Sequence, residues 1–150
     1  MPDISSHAIF AQPPQNTRGD IECMLFHQAV ATKLGLSNNE HRCVVFLLYQ
    51  PYTPSSLARM MGMTTSALTT LIDRLEKSGH VERKPDKHDR RRIFVQATDD
   101  CRRAVQNLYR SLSKSHECLM AQYTSVERKA IEDFMVRSAE ITHKEAAKLS

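Results

Sequence analysis

The stretch from Pro54 to Gln96 constrains the fold more than any other part of this 150-residue chain. Thr53 and Pro54 suit the N-cap and the first position of a helix, because a threonine side chain accepts a backbone N–H and proline needs no hydrogen-bond partner there. Gly62 can end this helix in the left-handed conformation that other residues avoid. A short helix followed by a tight turn is therefore predicted.

A second helix is predicted to begin at Thr64 or Thr65 and to end at Gly79. Its apolar residues have the spacing of one buried helical stripe, and they are Leu68, Leu71, Ile72 and Leu75. The residues of the opposite face are polar, and they are Ser66, Thr69, Thr70 and Asp73. Two helices that cross through a short turn form the helix-turn-helix pattern, whose second helix typically enters the major groove of DNA.

Two short strands are predicted after Gly79, at residues 80–84 and 92–96, around a polar tip that would form a wing. Six cations and two carboxylates give this hairpin a net charge of +4, which equals the formal net charge of the whole chain. The cations are Arg83, Lys84, Lys87, Arg90, Arg91 and Arg92. A charge run alone is equally consistent with a solvated loop, but beside a helix-turn-helix it favours contact with phosphates.

The segments before this stretch predict an arm and two helices. Residues 1–19 are proline-containing and aperiodic, which favours a flexible arm. A first helix with a broad apolar face is expected from Asp20 to Leu34. Ser37 and Glu40 have the spacing of a capping box for a helix that runs to about Tyr49. Because that helix is apolar around its circumference, we expect it to be buried on every side.

Two long helices are predicted after the wing. Thr98 is expected to cap the first of them, and Thr124 or Ser125 the second. Both helices carry apolar stripes that a small winged domain cannot cover completely. Such surfaces favour a second copy of the chain as partner, and the alternative is a monomeric helical hairpin folded back on the first helix.

Composition favours a single globular domain and argues against several other classes of protein. The chain has a mass of 17.1 kDa with 41% apolar residues, and neither a secretory signal nor a membrane span is evident, so we expect a cytoplasmic protein.

Its four cysteines form no CxxC pair, which argues against a disulfide scaffold and a zinc finger. Cys23 and His27 could offer two metal ligands, but no further ligands are evident, so neither a metal nor a cofactor is predicted. Enzymatic activity is not predicted either, since no nucleophile stands on a glycine-rich strand-to-helix turn and no carboxylate pair is placed for catalysis.

With this order of elements, the sequence resembles the MarR family of bacterial transcriptional regulators. The resemblance covers residues 36–100 closely and the flanking helices loosely. It is carried by LSNNE at 36–40, SLARMMGMTTSALTTLIDRLEKSGHVER at 56–83, DKHDRRR at 86–92 and VQAT at 95–98. It implies a mainly α fold with a small β wing in a single domain at 20–150. Within that domain, residues 36–98 would form a winged helix-turn-helix lobe, and 20–35 and 99–148 would form dimerisation helices.

The resemblance also implies a function. Family members act as homodimers on double-stranded DNA, usually as repressors, and many are released from a pseudo-palindromic operator by a small aromatic or lipophilic effector. The DNA-contacting residues implied here are Thr64, Thr65, Ser66, Ala67, Thr69, Thr70, Arg74, Lys87, Asp89, Arg90 and Arg91. Arg91 should enter a minor groove, held by Asp89. Many members carry a basic residue where Thr70 stands, so more of the affinity should come from the wing.

An effector pocket is expected where the first helix, the central helix and the start of the long helix meet. Its candidate residues are Phe26, His27, Val30, His41, Val45, Tyr49 and Leu108. Two alternative functions remain open at this point. Cys23 in the first helix could sense oxidants, as a cysteine does in some family members, or the winged helix could serve protein contacts alone. A winged helix used only for protein contacts would be expected to have an uncharged or acidic wing, whereas this wing is strongly basic.

Overall fold

A computed structural model of the chain describes residues 17–86, 89 and 91–149. It is mainly helical with a two-stranded antiparallel hairpin, which confirms the predicted fold class. The elements are α1 Thr17–Leu34, α2 Asn38–Tyr49, α3 Pro54–Met61, α4 Thr65–Lys77, β1 Val81–Pro85, β2 Ile93–Ala97, α5 Asp99–Met120 and α6 Ser125–Lys148. The chain forms two compact units, one up to Gln106 and the other from Asn107 onward.

The first helix begins earlier than the sequence suggested. α1 starts at Thr17, whereas the predicted start was Asp20, so the last three residues of the predicted arm are helical. Gly19 disfavours a helix by about 1 kcal/mol relative to alanine but does not stop one. The rest of the arm lies outside the described residues. The division into an arm and a single domain therefore stays a prediction.

The capping signals before α2 and through the helix-turn-helix are confirmed. The Ser37 N–H donates to Glu40 Oε2 at 2.9 Å, and the Glu40 N–H donates to Ser37 Oγ at 3.3 Å. Thr53 Oγ1 accepts from the Ser56 N–H at the start of α3, and Gly62 ends that helix with φ +64°. Thr64 caps α4 by accepting from the Ala67 N–H. These caps fix where both helices of the pair begin.

The core of the first unit is built on the predicted stripe of α4. The four apolar residues of that stripe are all buried, and Leu68, Ile72 and Leu75 have no exposed surface. They pack in one core with Leu47 of α2 and Leu57 of α3, which are also completely buried. Because this stripe faces inward, the polar side of α4 is turned to solvent.

The expectation that α2 is buried on every side is wrong for the single chain. Cys43, Val44 and Leu47 are completely buried, but Tyr49 is 85% exposed. Val45, Phe46 and Leu48 are half-buried. Packing against α1 and β2 covers part of the helix circumference and leaves the remaining apolar side chains partly open to solvent.

The wing strands each start one residue later than predicted, and they pair from Val81↔Ala97 to Pro85↔Ile93. The shift arises because the His80 N–H donates to Leu75 O, so His80 closes the end of α4 instead of opening β1. A further bridge joins β2 to Tyr52, which lies two residues before α3. The Tyr52 N–H donates to Val95 O at 3.0 Å, and the Val95 N–H donates to Tyr52 O at 2.8 Å.

The last two helices begin at the predicted threonines. Thr98 Oγ1 accepts from the Cys101 N–H, and Thr124 forms a capping box with Glu127. In the second unit many large apolar side chains are exposed, and they are Leu119, Tyr123, Val126, Phe134, Met135, Val136, Ile141 and Leu149. Among the described residues, no helix combines the length and apolarity that a membrane crossing requires.

Candidate nucleic-acid interface

The solvent-facing side of α4 carries the predicted recognition residues. Thr64, Thr65, Ser66, Ala67, Thr69 and Thr70 are all exposed. They occupy the start and the outer face of a helix whose inner face is fixed by the buried stripe. A helix of 13 residues with small polar side chains on its exposed face fits the width of a DNA major groove.

Two of these hydroxyls already donate within α4. Thr69 Oγ1 donates to Thr65 O at 2.8 Å, and Thr70 Oγ1 donates to Ser66 O at 3.2 Å. The sequence alone indicated side chains that could both donate and accept. With their protons directed at the helix backbone, Thr69 and Thr70 present oxygen lone pairs and methyl groups outward. This pattern suits the amino groups of adenine or cytosine and the methyl group of thymine.

Arg74 lies one turn beyond Thr70 and is exposed, as a phosphate-contacting residue must be. It borders a groove of about 300 Å³ between α4 and the start of α2, together with Thr70, Asn39 and Glu40. The backbone hydrogen bond from Ser37 is the main cause that lowers the pKa of Glu40, and the Arg74 charge adds to it. The groove therefore holds a carboxylate opposite the arginine.

The wing tip is closed by two aspartates. The Asp89 N–H donates to Asp86 Oδ1 at 2.9 Å, and the Arg92 N–H donates to Asp89 O at 2.9 Å. Asp89 also holds Arg91, but through the backbone: the Arg91 N–H donates to Asp89 Oδ1 at 3.1 Å. The sequence predicts that the Asp89 carboxylate restrains the Arg91 guanidinium, whereas the observed contact is with the Arg91 backbone. Arg91 is exposed and forms no ion pair within the described residues.

Fewer wing cations are available for phosphates than the charge count suggested. Arg83 pairs with Asp73 and Glu76 of α4, and Lys84 pairs with Glu82 at 2.7 Å. Arg92 lies over the ring of Phe94, with 5.6 Å between its Cζ atom and the ring centroid. The predicted contacts Lys87 and Arg90 lie outside the described residues. Within the described part of the tip, Arg91 is thus an exposed cation whose guanidinium is engaged by neither a carboxylate nor an aromatic ring.

A cavity of about 700 Å³ lies between α1 and α2, and we call it the α1–α2 cavity. Its lining residues are Asp20, Cys23, Met24, His27, Gln28, Asn38, His41, Arg42 and Val45. Three of the predicted pocket residues, His27, His41 and Val45, are among them. Phe26, Val30 and Tyr49 lie outside this lining: Phe26 packs edge-on against His27, Val30 is buried in the core, and Tyr49 is exposed. Leu108 belongs to the second unit.

His41 is the polar residue that most distinguishes this cavity. It is 95% buried, since 5% of its surface is exposed, and its Nε2 atom has no hydrogen-bond partner among the described residues. Its ring centroid lies 5.5 Å from that of His27. Burial, reinforced by His27, lowers the pKa of His41. The imidazole is therefore held neutral at pH values where an exposed histidine would begin to take up a proton.

The lowered pKa of His41 predicts a loss of stability in mild acid. Below the ordinary value of 6.5, the unfolded chain binds a proton that the folded chain excludes, so the free energy of unfolding falls as pH falls. The loss is about 1.4 kcal/mol for each unit by which the pKa is lowered. Urea unfolding between about pH 7.5 and 5.5 should show a smaller loss for His41→Leu than for the wild type. Parallel pH curves for the two proteins would contradict this assignment.

The four cysteines fall into two pairs by exposure. Cys23 and Cys118 are exposed, whereas Cys43 and Cys101 are buried. Burial raises the pKa of Cys43 to about 12, so its thiol stays protonated at neutral pH. Cys23 lines the α1–α2 cavity near His27, but within the described ranges no three histidine, cysteine or acidic side chains are arranged to hold a metal ion.

Sequence reasoning missed Arg42, which links two parts of this unit. Arg42 lines the α1–α2 cavity, and its Nη2 atom donates to Met61 O at 2.7 Å, at the end of α3. The helical spacing of Asn38, His41 and Val45 could have indicated that Arg42 shares their face. Nothing in the spacing indicates that its guanidinium reaches α3, because that contact joins residues 19 positions apart.

A helix-turn-helix with an exposed polar second helix, followed by a hairpin that carries an exposed arginine, defines a winged helix-turn-helix protein. A model of the MarR family matches residues 34–92 of the chain. Over 127 residues the chain is 35% identical to the uncharacterized HTH-type transcriptional regulator YcgE of Bacillus subtilis, with 84% of this chain and 82% of that protein covered. The chain belongs to the MarR family of DNA-binding transcriptional regulators.

Solved structures of regulators share the fold at low sequence identity. A MepR point mutant from a multidrug-resistant S. aureus clinical isolate superposes with a TM-score of 0.69 at 14% identity, covering 95% of this chain and 99% of that chain. NadR in complex with 4-hydroxyphenylacetate superposes with a TM-score of 0.61 at 17% identity, covering 83% and 89%. These likenesses extend the fold assignment beyond residues 34–92 to the helices on either side.

Proposed function

We propose that the protein is a homodimeric repressor that binds a pseudo-palindromic operator in double-stranded DNA and leaves it when a small molecule binds. The observation that carries this proposal is the pairing of an exposed recognition face on α4 with an exposed Arg91 on the wing of the same unit. One element suits a major groove, and the other suits the narrow, strongly negative minor groove beside it.

Each contact has a distinct role in this proposal. Thr65, Ser66 and Ala67 at the start of α4 approach the base edges, and Thr69 and Thr70 offer acceptors and methyl groups. Arg74 binds a phosphate and fixes the register of the helix without selecting a base. Arg91 enters the minor groove, while Asp89 shapes the backbone that presents it. Lys87 and Arg90 add phosphate contacts from the same loop. The operator preference comes from the helix, and much of the affinity comes from the wing.

A second copy of the chain is the partner that best accounts for the exposed apolar surface of the terminal helices. In α6, Phe134, Met135 and Ile141 are each at least 60% exposed. In α1, Met24 is 61% exposed. Monomeric proteins seldom leave so many large apolar side chains in water. In a dimer formed through these faces, we propose that the two recognition helices bind one duplex at half-sites about 10 base pairs apart.

The proposal is tested by selecting bound duplexes from genomic DNA with the purified protein and by measuring its mass in solution. We expect recovery of a sequence with two related half-sites, and light scattering should give the mass of a dimer at micromolar concentration. A monomer would contradict the two-half-site arrangement. Failure to enrich any duplex would contradict DNA as the partner. The recovered duplex then serves to test candidate effectors for release.

The α1–α2 cavity supports a small aromatic or lipophilic molecule as the effector. Its volume falls within the range of small-molecule sites, and Met24 and Val45 give it apolar walls. His41 also lines this cavity, and its buried Nε2 atom has no hydrogen-bond partner among the described residues, so it is the polar group proposed to pair with a ligand. NadR, which shares the fold, has been solved in complex with 4-hydroxyphenylacetate, a small aromatic molecule.

A further inference from the structure

Three hydrogen bonds join the base of the wing to the recognition helix. Arg83 Nη2 donates to Asp73 Oδ1 at 2.6 Å, and Arg83 Nη1 donates to Glu76 Oε2. The Arg83 backbone N–H donates to the other oxygen of Glu76 at 3.2 Å. The Glu76 carboxylate of α4 therefore accepts hydrogen bonds from both the main chain and the side chain of Arg83 in β1. We call this group of three residues the Arg83 clamp.

The clamp restrains the wing at the edge formed by β1, and a different contact restrains the opposite edge. Arg83 is paired in the hairpin with Val95, and Val95 exchanges two backbone hydrogen bonds with Tyr52 just before α3. The base of the hairpin is thus tied to α4 on one side and to the start of the helix-turn-helix on the other. Backbone bonds fix the Tyr52 edge, whereas charged side chains provide most of the bonds at the α4 edge.

The guanidinium of Arg83 is committed to this internal contact. Its two terminal nitrogens each bind a carboxylate, and 29% of its side chain is exposed. An arginine in this arrangement would have to give up two charged partners before it could bind a phosphate. By contrast, Arg91 is exposed and binds no carboxylate through its guanidinium within the described part of the chain. Two arginines of the same hairpin therefore have different roles.

We propose that Arg83 is a positioning residue for DNA recognition, which holds the wing at a fixed offset from α4 so that Arg91 and the recognition helix engage the same half-site together. This inference rests on the proposed binding of DNA. Asp73 and Glu76 act with Arg83, although neither carboxylate could itself attract a phosphate. The clamp reduces the freedom of the wing before binding, so less conformational entropy is lost when the two grooves are engaged.

The first test is the salt dependence of operator binding by Arg83→Gln. Loosening the wing should lower the affinity for the selected duplex by a factor of about 2 to 30, the range expected from two partly exposed charge pairs. The slope of log affinity against log salt should stay that of the wild type, because no phosphate contact is lost. A slope that becomes shallower by about 0.9 per subunit would show that Arg83 binds a phosphate, and it would overturn the proposal. Unchanged affinity would also overturn it.

Charge reversal provides a second, independent test. Arg83→Glu places a third carboxylate beside Asp73 and Glu76, so it should weaken binding more than Arg83→Gln does. In Arg83→Glu combined with Glu76→Arg, the pair is restored with the charges exchanged, and most of the affinity should return. Glu76→Arg alone controls for the added cation. The free-energy losses of Arg83→Glu and Glu76→Arg are added to predict the loss in the double variant. If the double variant binds no better than this sum predicts, the pairing has no positioning role.

A third readout needs no DNA and separates this inference from the proposed function. Hydrogen exchange of the β1 and β2 amides in the free protein should be faster in Arg83→Gln and should return towards the wild-type rate in the exchanged pair. The midpoint of global unfolding should shift only slightly, since both charge pairs of the clamp are partly exposed. Wild-type protein that enriches no duplex would contradict the proposed function. Normal exchange and normal binding in Arg83→Gln would contradict the clamp while leaving that function intact.

Discussion

Arg91→Ala should lower the affinity for the selected operator at least tenfold at fixed salt, which makes it the most damaging single change expected at the DNA surface. The expectation follows from a loss of about 1–3 kcal/mol for an arginine in a groove, counted in both subunits of the proposed dimer. Arg91 is exposed, and Asp89 shapes the backbone on which it stands. Neither feature depends on the Arg91 side chain, so the variant should fold normally.

Fluorescence anisotropy over a salt series would measure this effect. The slope of log affinity against log salt should become shallower by about 0.9 for each phosphate contact that is lost. Arg103→Ala is a matched control, because Arg103 is an exposed arginine of α5 that pairs with Asp100. It should leave affinity and slope close to those of the wild type. Equal affinities of Arg91→Ala and wild-type protein would show that Arg91 does not bind the operator, and they would contradict the proposed role of the wing.

Leu57→Ala should lower the free energy of unfolding by about 2–5 kcal/mol. Leu57 is completely buried in α3, so truncation removes apolar contacts and leaves a cavity between the two helices of the helix-turn-helix. A loss of this size is a large fraction of the stability of a typical domain. Because the core beneath α4 would be incomplete, operator binding should also weaken at temperatures near the unfolding midpoint.

Met60→Ala provides the control for this prediction. Met60 lies three residues further along the same helix but is 44% exposed, so its truncation leaves no enclosed cavity. Urea unfolding at one fixed protein concentration should show a small change for Met60→Ala and a large one for Leu57→Ala. If the free energy of unfolding falls by a similar amount in both variants, Leu57 does not belong to the core of this unit as its burial indicates.

Local sequence signals predicted most of the fold. The capping threonines at 53, 64, 98 and 124, the Ser37–Glu40 box and Gly62 each act within a few residues, and each has its predicted geometry. The stripe on α4 was equally predictable, because a single period specifies which residues face inward. The length of α1 was less so, because Gly19 disfavours a helix and yet α1 continues through it to Thr17.

The parts that could not be predicted depend on contacts between distant residues. The charge of the wing could be counted, but not the pairing of Arg83 with carboxylates seven and ten positions earlier. The exposure of Tyr49 was missed because the composition of α2 does not say which of its sides other elements will cover. Three of the predicted pocket residues, His27, His41 and Val45, line the same cavity. Arg42 also lines it but was not predicted, and its hydrogen bond to Met61 could be identified only from the structure.

The closure of the wing tip has a consequence for how this protein can change over evolution. Its turn is held by main-chain groups and by the carboxylates of Asp86 and Asp89, while the Arg91 side chain takes no part in the closure. The hydrogen bonds that close the described part of the tip are therefore independent of the side chain at position 91. If Arg91 binds DNA as proposed, substitutions there change the affinity for the operator without loss of these closing bonds, so the strength of regulation can change over evolution while the scaffold is conserved.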